Sequence, residues 1–400
     1  MKIEELSENV WWIGTLDPDL RVFDIIMRAE QGTSYNSYLV KGAARTAVIE
    51  TVKSGFGAEY LAKIKQLIDP AKIDYIILNH MEPDHSGSIG ALLELAPQAK
   101  VVISKTGEHF IKNILNHDCN LLKMGDGDVL DLGGKTLKFI AAPFLHWPDS
   151  MFTYLAEDQI LFDCDFLGAH YADPLLFGDL DPNSRFFNDF KYYFDHIMRP
   201  FKRYVLQALD KLINYPLRMV APGHGPIIRR DIAKYLQCYR EWSLANPEQD
   251  RVIIAYVTAY GNTAKLAERI AAGINQAGVA AELYDLGNTN PAELVDRIEG
   301  SKGLLLGSPT INGDAVKPAH DLLSSLATLN LKGKLGSAFG SCGWSGEAVP
   351  ILESRMAGIK FKVINSTVKP VLIPTPADLA NAFEFGRSFG AAVLAKPAHK

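Results

Sequence analysis

The chain has little cysteine: four residues in 400, Cys119, Cys164, Cys238 and Cys342, scattered and without a C-x-x-C pair. That leaves no disulfide framework and no built-in paired-thiolate metal site, and it fits a reducing cytoplasm. Long apolar runs are also missing. None approaches the roughly 18 residues needed to span a bilayer, so no membrane partner is expected. The opening "MKIEELSENVWWIG" lacks a basic-then-apolar layout, and no signal peptide is expected. A strong charge bias is absent as well: the formal net charge is −5, with 22% charged residues. A surface for nucleic acid is therefore not anticipated. There is no internal repeat and no low-complexity segment. What is present is length, enough for two or three domains, and 48% hydrophobic residues with which to build their cores.

The chain changes character at "ANPEQD" (residues 245–250), a polar segment that follows a helical stretch and precedes the strong strand "RVIIAYV". The expected division is therefore 1–248 and 249–400. The first part mixes short strand-like runs ("VWWIGTL", "SYNSYLV", "TAVIET", "YIILN", "KVVIS", "LKFIAAP", "QILFDCD") with helical stretches. That pattern predicts an α/β sandwich, two sheets with helices outside. The second part alternates regularly between strands ("RVIIAYV", "AAELYDL", "GLLLGSP", "KLGSAFGS", "FKVI") and helices, which predicts a doubly wound parallel sheet.

Potential metal ligands concentrate after the strand "YIILN". The segment "NHMEPDHSG" places His80, Glu82, Asp84 and His85 within six residues, alternating along what reads as an extended loop. Further candidates occupy similar strand-to-loop junctions: His146 in "PFLHWPDS", Asp165 ending "ILFDCD", and His224 in "APGHGPI". Four imidazoles and three carboxylates are about the number needed for two metals sharing one bridging carboxylate. Imidazole suits iron, zinc, copper and nickel, and carboxylates favour harder cations and can bridge them. A lone histidine is more often a structural residue, and that bland reading applies to His109, His117, His196 and His320. His170, in "DFLGAH", is close in sequence to Asp165 and is a candidate support for the centre.

In the second part, the first turn reads Thr258-Ala259-Tyr260-Gly261-Asn262-Thr263 before the helix "AKLAERIAAGI". Hydroxyls and free N–H groups at a helix start make an anion site. The turn lacks both GxxxxGK[ST] and GxGxxG, and a hydroxyl-rich turn without lysine suits the terminal phosphate of FMN. Two later loops agree: Ser308-Pro309-Thr310-Ile311-Asn312-Gly313 and Ser341-Cys342-Gly343-Trp344-Ser345-Gly346. Their glycines let backbone approach a flat ring, and Trp344 is placed to stack on an isoalloxazine. Taken alone, Trp344 is equally a surface or packing residue.

The order H-x-E-x-D-H, His, Asp, G-H-G resembles the metallo-β-lactamase superfamily, and the second part resembles flavodoxin over its full length. Hydrolases of the first family usually carry a third histidine where this chain has Glu82. A hard anionic oxygen there favours iron over zinc and stabilises the higher oxidation state. The two halves together resemble the flavodiiron proteins (A-type flavoproteins) over essentially the whole chain, with "GTSYNSYLV" (residues 32–40), "LHWPDSM" (145–151) and "FGSCGWSGEA" (339–348) as further signatures. The resemblance implies an N-terminal metallo-β-lactamase-like αββα sandwich followed by a flavodoxin-like sheet, with two Fe and FMN per chain. It implies reduction of O2 to water or of NO to N2O in the cytoplasm. His80, Glu82 and His146 would then bind one iron, Asp84, His85 and His224 the other, and Asp165 would bridge. Tyr193, in "KYYFDHIMRPF", lies in a run similar to one where the family has a tyrosine and is a candidate proton-handling group, with packing an equal reading. The resemblance further implies a head-to-tail homodimer or dimer of dimers, and a separate electron donor, rubredoxin first and a reduced deazaflavin second. Two rivals stand beside this reading. One is a di-zinc hydrolase fused to a flavodoxin-like module, against which Glu82 speaks; the other is an electron carrier or oxygen sensor with negligible turnover.

Overall fold

The computed structural model describes residues 2–25, 27–178, 185–244 and 248–395. The chain divides into two compact units, Met1–Leu244 and Ala245–Lys400. The first three residues of the "ANPEQD" segment, 245–247, lie outside the described residues.

In the first unit a seven-stranded sheet runs in the order Glu4–Ser7, Val10–Trp12, Tyr38–Lys41, Thr46–Ile49, Tyr75–Ile77, Lys100–Ser104, Leu121–Met124. The four strands from Thr46–Ile49 onward are parallel and the earlier ones antiparallel. A five-stranded sheet follows: Val129–Asp131, Thr136–Ala141, Met151–Leu155, Ile160–Cys164, Met219–Pro222, with only the last pair parallel.

Side-chain alternation explains how the sheets stack. Tyr38, Val40, Ala47, Ile49, Tyr75 and Ile77 of the first sheet share one buried cluster with Leu137, Phe139, Met151, Leu155 and Phe162 of the second. The residues between them, Leu39, Val48 and Ile76, face the other way, onto Tyr60 and Ile64 of the helix Gly57–Leu67 and onto Ile89 and Leu92 of Ile89–Leu95. On the far side Ile140, Phe152 and Leu161 pack against Val205 and Leu209 of Lys202–Leu212 and Tyr235 and Tyr239 of Ile232–Ser243. The result is the expected αββα sandwich. Each fully buried aliphatic or aromatic side chain contributes ~1.5–3 kcal/mol, and a one-residue slip would turn every one of them to the wrong face.

This layout brings several strand ends to one edge. Tyr75–Ile77, Ile160–Cys164 and Met219–Pro222 run into their following loops there. Met151–Leu155, antiparallel to Ile160–Cys164, begins at the same edge.

The second unit is a parallel five-stranded sheet in the order Ala280–Asp285, Gln249–Tyr256, Ser301–Gly307, Leu335–Phe339, Lys362–Val363. Val252, Ile254, Leu305 and Phe339 pack on the helices Asn262–Gln276 and Pro376–Ala395. Ile253, Ala255, Leu304 and Leu306 pack on Pro291–Glu299, Lys317–Ser325 and Ala348–Gly358. Burial on both faces accounts for unbroken apolar runs such as "LLLG". Among the described residues, no helix is long and apolar enough to cross a membrane.

Candidate functional site

The seven residues singled out as metal ligands meet at the shared strand edge of the first unit. They form two groups around Asp165. On one side, Glu82 Oε2 lies 3.1 Å from both His80 Nε2 and His146 Nε2, and Asp165 Oδ2 lies 3.7 and 3.4 Å from the same two nitrogens. On the other, Asp84 Oδ2 lies 2.9 Å from His224 Nε2, and Asp165 Oδ1 lies 3.0 Å from His85 Nε2 and 3.5 Å from His224 Nε2. One carboxylate thus turns one oxygen toward each group.

The local backbone sorts the donors. Past the strand, Glu82 has extended-type backbone angles (φ −57°, ψ 143°). Pro83 then starts one helical turn, Pro83–Ser86, which swings Asp84 and His85 to the second group. The alternating extended loop anticipated from the sequence therefore stops at Glu82. The G-H-G segment is shaped by contact: a Cβ on Gly223 would sit 2.6 Å from His85 Cε1, so only glycine lets His224's loop close over that ring.

His80, His85, His224, Asp84 and Asp165 are almost fully buried. Glu82 and His146 keep about 15% side-chain exposure and mark the open side. Burial works against ionising the acids, yet neighbouring imidazoles prevail. His146 and His80 hold Glu82, and His85 and His224 hold Asp84, below the usual carboxylate range. His85 and His146 hold Asp165 well below it despite complete burial. In return, and against burial, Asp149 and Glu82 push His80 up to about 10, and Asp165 and Glu82 push His146 up to about 9.

Asp84 Oδ1 and Oδ2, Asp165 Oδ1 and His85 Nε2 are buried and, although Asp84 Oδ2 and Asp165 Oδ1 approach ring nitrogens closely, none of the four makes a well-aligned hydrogen bond among the described residues. Buried polar groups are nearly always satisfied. Anionic oxygens and ring nitrogens converging on two points fit a pair of cations, and the mixed N/O donors fit iron or zinc.

His170 and Tyr193 flank this centre. The His170 ring stacks on Phe23 at 4.0 Å and meets the His224 and Tyr193 rings edge-on at 5.1 and 5.0 Å. Its Nδ1 lies 3.0 Å from Thr33 Oγ1. Burial and the His224 charge push its pKa well down, while burial and the charge of Asp165 push Tyr193 well up. His170 therefore stays neutral and Tyr193 keeps its phenolic proton.

Three residues behind the ligands escaped the sequence reading. Asp149 Oδ2 faces His80 Nδ1 at 3.3 Å, Ser34 O accepts from His224 Nδ1 at 2.6 Å, and Glu50 Oε1 accepts from Asn79 N at 2.9 Å. Burial lifts Glu50 to about 7. Asp149 had a signal, being an acid in the same short loop as His146. A backbone carbonyl such as that of Ser34 has none.

In the second unit the three candidate loops follow three adjacent parallel strands, Gln249–Tyr256, Ser301–Gly307 and Leu335–Phe339. They are tied together: Thr263 Oγ1 lies 3.3 Å from Ser341 Oγ, and Thr310 N donates to Ser341 O at 3.1 Å. The first helix begins at Asn262, two residues earlier than read from sequence, so Asn262 and Thr263 form its opening turn. The second loop is a small hairpin, Thr310–Ile311 against Asp314–Ala315, turning at Asn312 and Gly313, both with positive φ. Tyr260 and Trp344 stand 91% and 85% exposed, aromatic faces available to a flat ligand. Adjacent strand ends of this kind form the crevice where doubly wound sheets take nucleotides and FMN. The histidines set aside earlier, His109, His117, His196 and His320, join no metal-competent group among the described residues.

Comparison with known proteins follows the same division. Residues 33–225 match the family described as ODP family beta lactamase, and residues 254–386 match flavodoxin. The chain is 44% identical to flavo-diiron protein FprA2 of Clostridium acetobutylicum over 97% of this chain and 99% of the relative. It is 34% identical to the nitric oxide reductase of Moorella thermoacetica over 97% of this chain and 98% of that one. The solved structure of rubredoxin oxygen:oxidoreductase from Desulfovibrio gigas superimposes with a TM-score of 0.74 at 28% identity, covering 98% and 99% of the two chains. The flavodiiron protein of Giardia intestinalis gives 0.70 at 28% identity, covering 99% and 97%.

Proposed function

Because this chain belongs to the flavodiiron protein family, we propose that it is an oxidoreductase that reduces O2 to water, NO to N2O, or both. The observation that carries this reading is Asp165, which turns one oxygen to each of two three-residue donor sets. His80, Glu82 and His146 would hold one iron, Asp84, His85 and His224 the other, and Asp165 both, within residues 1–248. The loops 258–263, 308–313 and 341–346, within residues 249–400, would hold FMN. When bound, two ferrous ions and reduced FMN supply the four electrons that O2 requires, or the two needed to join two NO molecules.

The protein's part is to hold and shape the site. Glu82, Asp84 and Asp165 stay anionic through the neutral range and balance cationic charge in a buried pocket. Glu82 and His146 line the open side, through which a diatomic substrate enters. His170 backs the His224 ring with an edge-on contact, and Tyr193, packed edge-on against His170, keeps its phenolic proton. Both substrates remain in the proposal because relatives named for each match the chain nearly end to end. Reduced rubredoxin is the proposed donor, with a reduced deazaflavin second, in a cytoplasmic head-to-tail dimer.

Elemental analysis and visible absorbance of anaerobically purified protein test the core of this reading. About two irons and one FMN per chain are expected. Two zincs would instead put the hydrolase first. Glu82→His is expected to move metal preference toward zinc and lose O2 reduction; unchanged iron content and turnover would remove the significance given to Glu82. Trp344→Ala is expected to weaken FMN by ~1–3 kcal/mol if its exposed ring stacks on the flavin. A fluorescence titration showing wild-type affinity would return Trp344 to the surface.

A further inference from the structure

The histidines of the centre differ in what stands behind them. His224 Nδ1 faces the neutral carbonyl of Ser34 at 2.6 Å. His85 Nδ1 faces the thiol sulfur of Cys164 at 3.7 Å, a weak partner. His80 Nδ1 faces a carboxylate, Asp149 Oδ2, at 3.3 Å. Asp149 is 1% exposed, and the same oxygen accepts the Met81 N–H at 2.8 Å. One atom therefore grips both the ring of His80 and the backbone that leads to Glu82. The Trp147 ring packs nearly perpendicular to the His80 ring, with centroids 4.9 Å apart.

We propose that Asp149 is a positioning residue that fixes the tautomer of His80 and makes the His80, Glu82 and His146 position the tighter of the two metal sites. An ionised carboxylate only accepts, so the ring nitrogen facing it must carry the hydrogen. Nε2, which faces Glu82 and Asp165, is then the nitrogen that gives up its hydrogen when a cation takes the place between them. A negative charge behind an imidazole also raises its donor strength, and such partners are typically worth ~10–100-fold in metal affinity. Among the described residues the second position has no carboxylate hydrogen-bonded to a ring nitrogen from behind: His224 faces a carbonyl, and Glu50, within 4.8 Å of His85, accepts from Asn79 N instead. The short loop that sends His146 into the centre thus also sends Asp149 behind His80, so His146 and Asp149 would both act on one metal. This rests on the two-metal reading above.

The alternative is that Asp149 only clamps the backbone at Met81. Asp149→Asn separates the two roles: its amide oxygen can still accept both N–H groups, and only the charge is lost. Full-length protein stripped of metal is titrated with Co2+ against a competing chelator, and anomalous scattering from crystals at partial loading identifies the position filled first. Wild-type protein is expected to bind two Co2+, the first at His80, Glu82 and His146. In Asp149→Asn that affinity is expected to fall ~10–100-fold while the other position is unchanged. If Asp149→Asn keeps both affinities and Asp149→Ala loses them, Asp149 is a backbone clamp and the proposal is overturned. If both positions weaken together in Asp149→Asn, site selectivity is overturned. A wild-type protein that binds no Co2+ removes the two-metal reading itself, and this inference with it.

Discussion

Asp165→Ala is expected to empty both metal positions at once. Each of its oxygens serves a different donor group, Oδ1 toward His85 and His224 and Oδ2 toward His80 and His146. No other side chain reaches both groups among these contacts, so there is no substitute. Even residues that only support a ligand cost ~10–100-fold in affinity when removed; loss of a shared ligand is expected to exceed that at each position. The iron content should fall from about two per chain to well below one, and reductase turnover should fall with it. The protein itself should also suffer. Without metal, the Asp165 charge helps raise the pKa of His80, His85 and His146 against their burial. Deleting one partner from a buried ion cluster costs ~3–5 kcal/mol, which denaturant unfolding would register. A variant retaining two irons and wild-type turnover would show that Asp165 does not bridge.

Gly223→Ala is expected to damage only one position. The added methyl would stand 2.6 Å from His85 Cε1, 3.1 Å from its Nδ1 and 3.2 Å from the backbone carbon of Cys164. None of these atoms yields without cost: the ring is buried and the other contact is main chain. Overpacking of this kind costs ~1–3 kcal/mol. Relief requires the His85 ring to tilt away from Asp165, which opens the Asp84, His85 and His224 position. About one iron per chain is therefore expected, retained at His80, Glu82 and His146. Wild-type stability together with two irons would mean that the G-H-G glycine is not needed for closeness to His85. The variant is the mirror of Asp149→Asn, which weakens the opposite position without crowding it.

The framework of both units was legible because it rests on periodicity. In "TAVIE" the alternation of Ala47 and Ile49 with Val48 is the alternation of inner and outer faces. In the second unit the apolar runs between helical stretches led directly to a parallel sheet. The metal donors were legible because acids and imidazoles at strand ends are costly unless employed. Less was legible where geometry depends on a turn. Pro83 at a first helical position signals a helix start, yet the four donors around it read as one extended run. The hairpin at Asn312 and Gly313 likewise carried an Asn-Gly signal inside a segment read only as glycine-rich. Least legible were the partners behind the ligands. Ser34 contributes only its carbonyl, which every residue has, and Glu50 contributes through burial, which local sequence does not reveal.

All seven donors lie between residues 80 and 224, within the first unit, which ends at Leu244. Chains fold unit by unit as they leave the ribosome, beginning from the N-terminus. His224 is the last donor to emerge, and without it Asp84 and His85 lack the third member of their group. Once it has emerged, all seven proposed donors are available while the loops from Thr258 onward have still to emerge. With the proposed ligands, the order of the chain would let biosynthesis load metal before flavin, and the emergence of a single histidine would complete the first cargo.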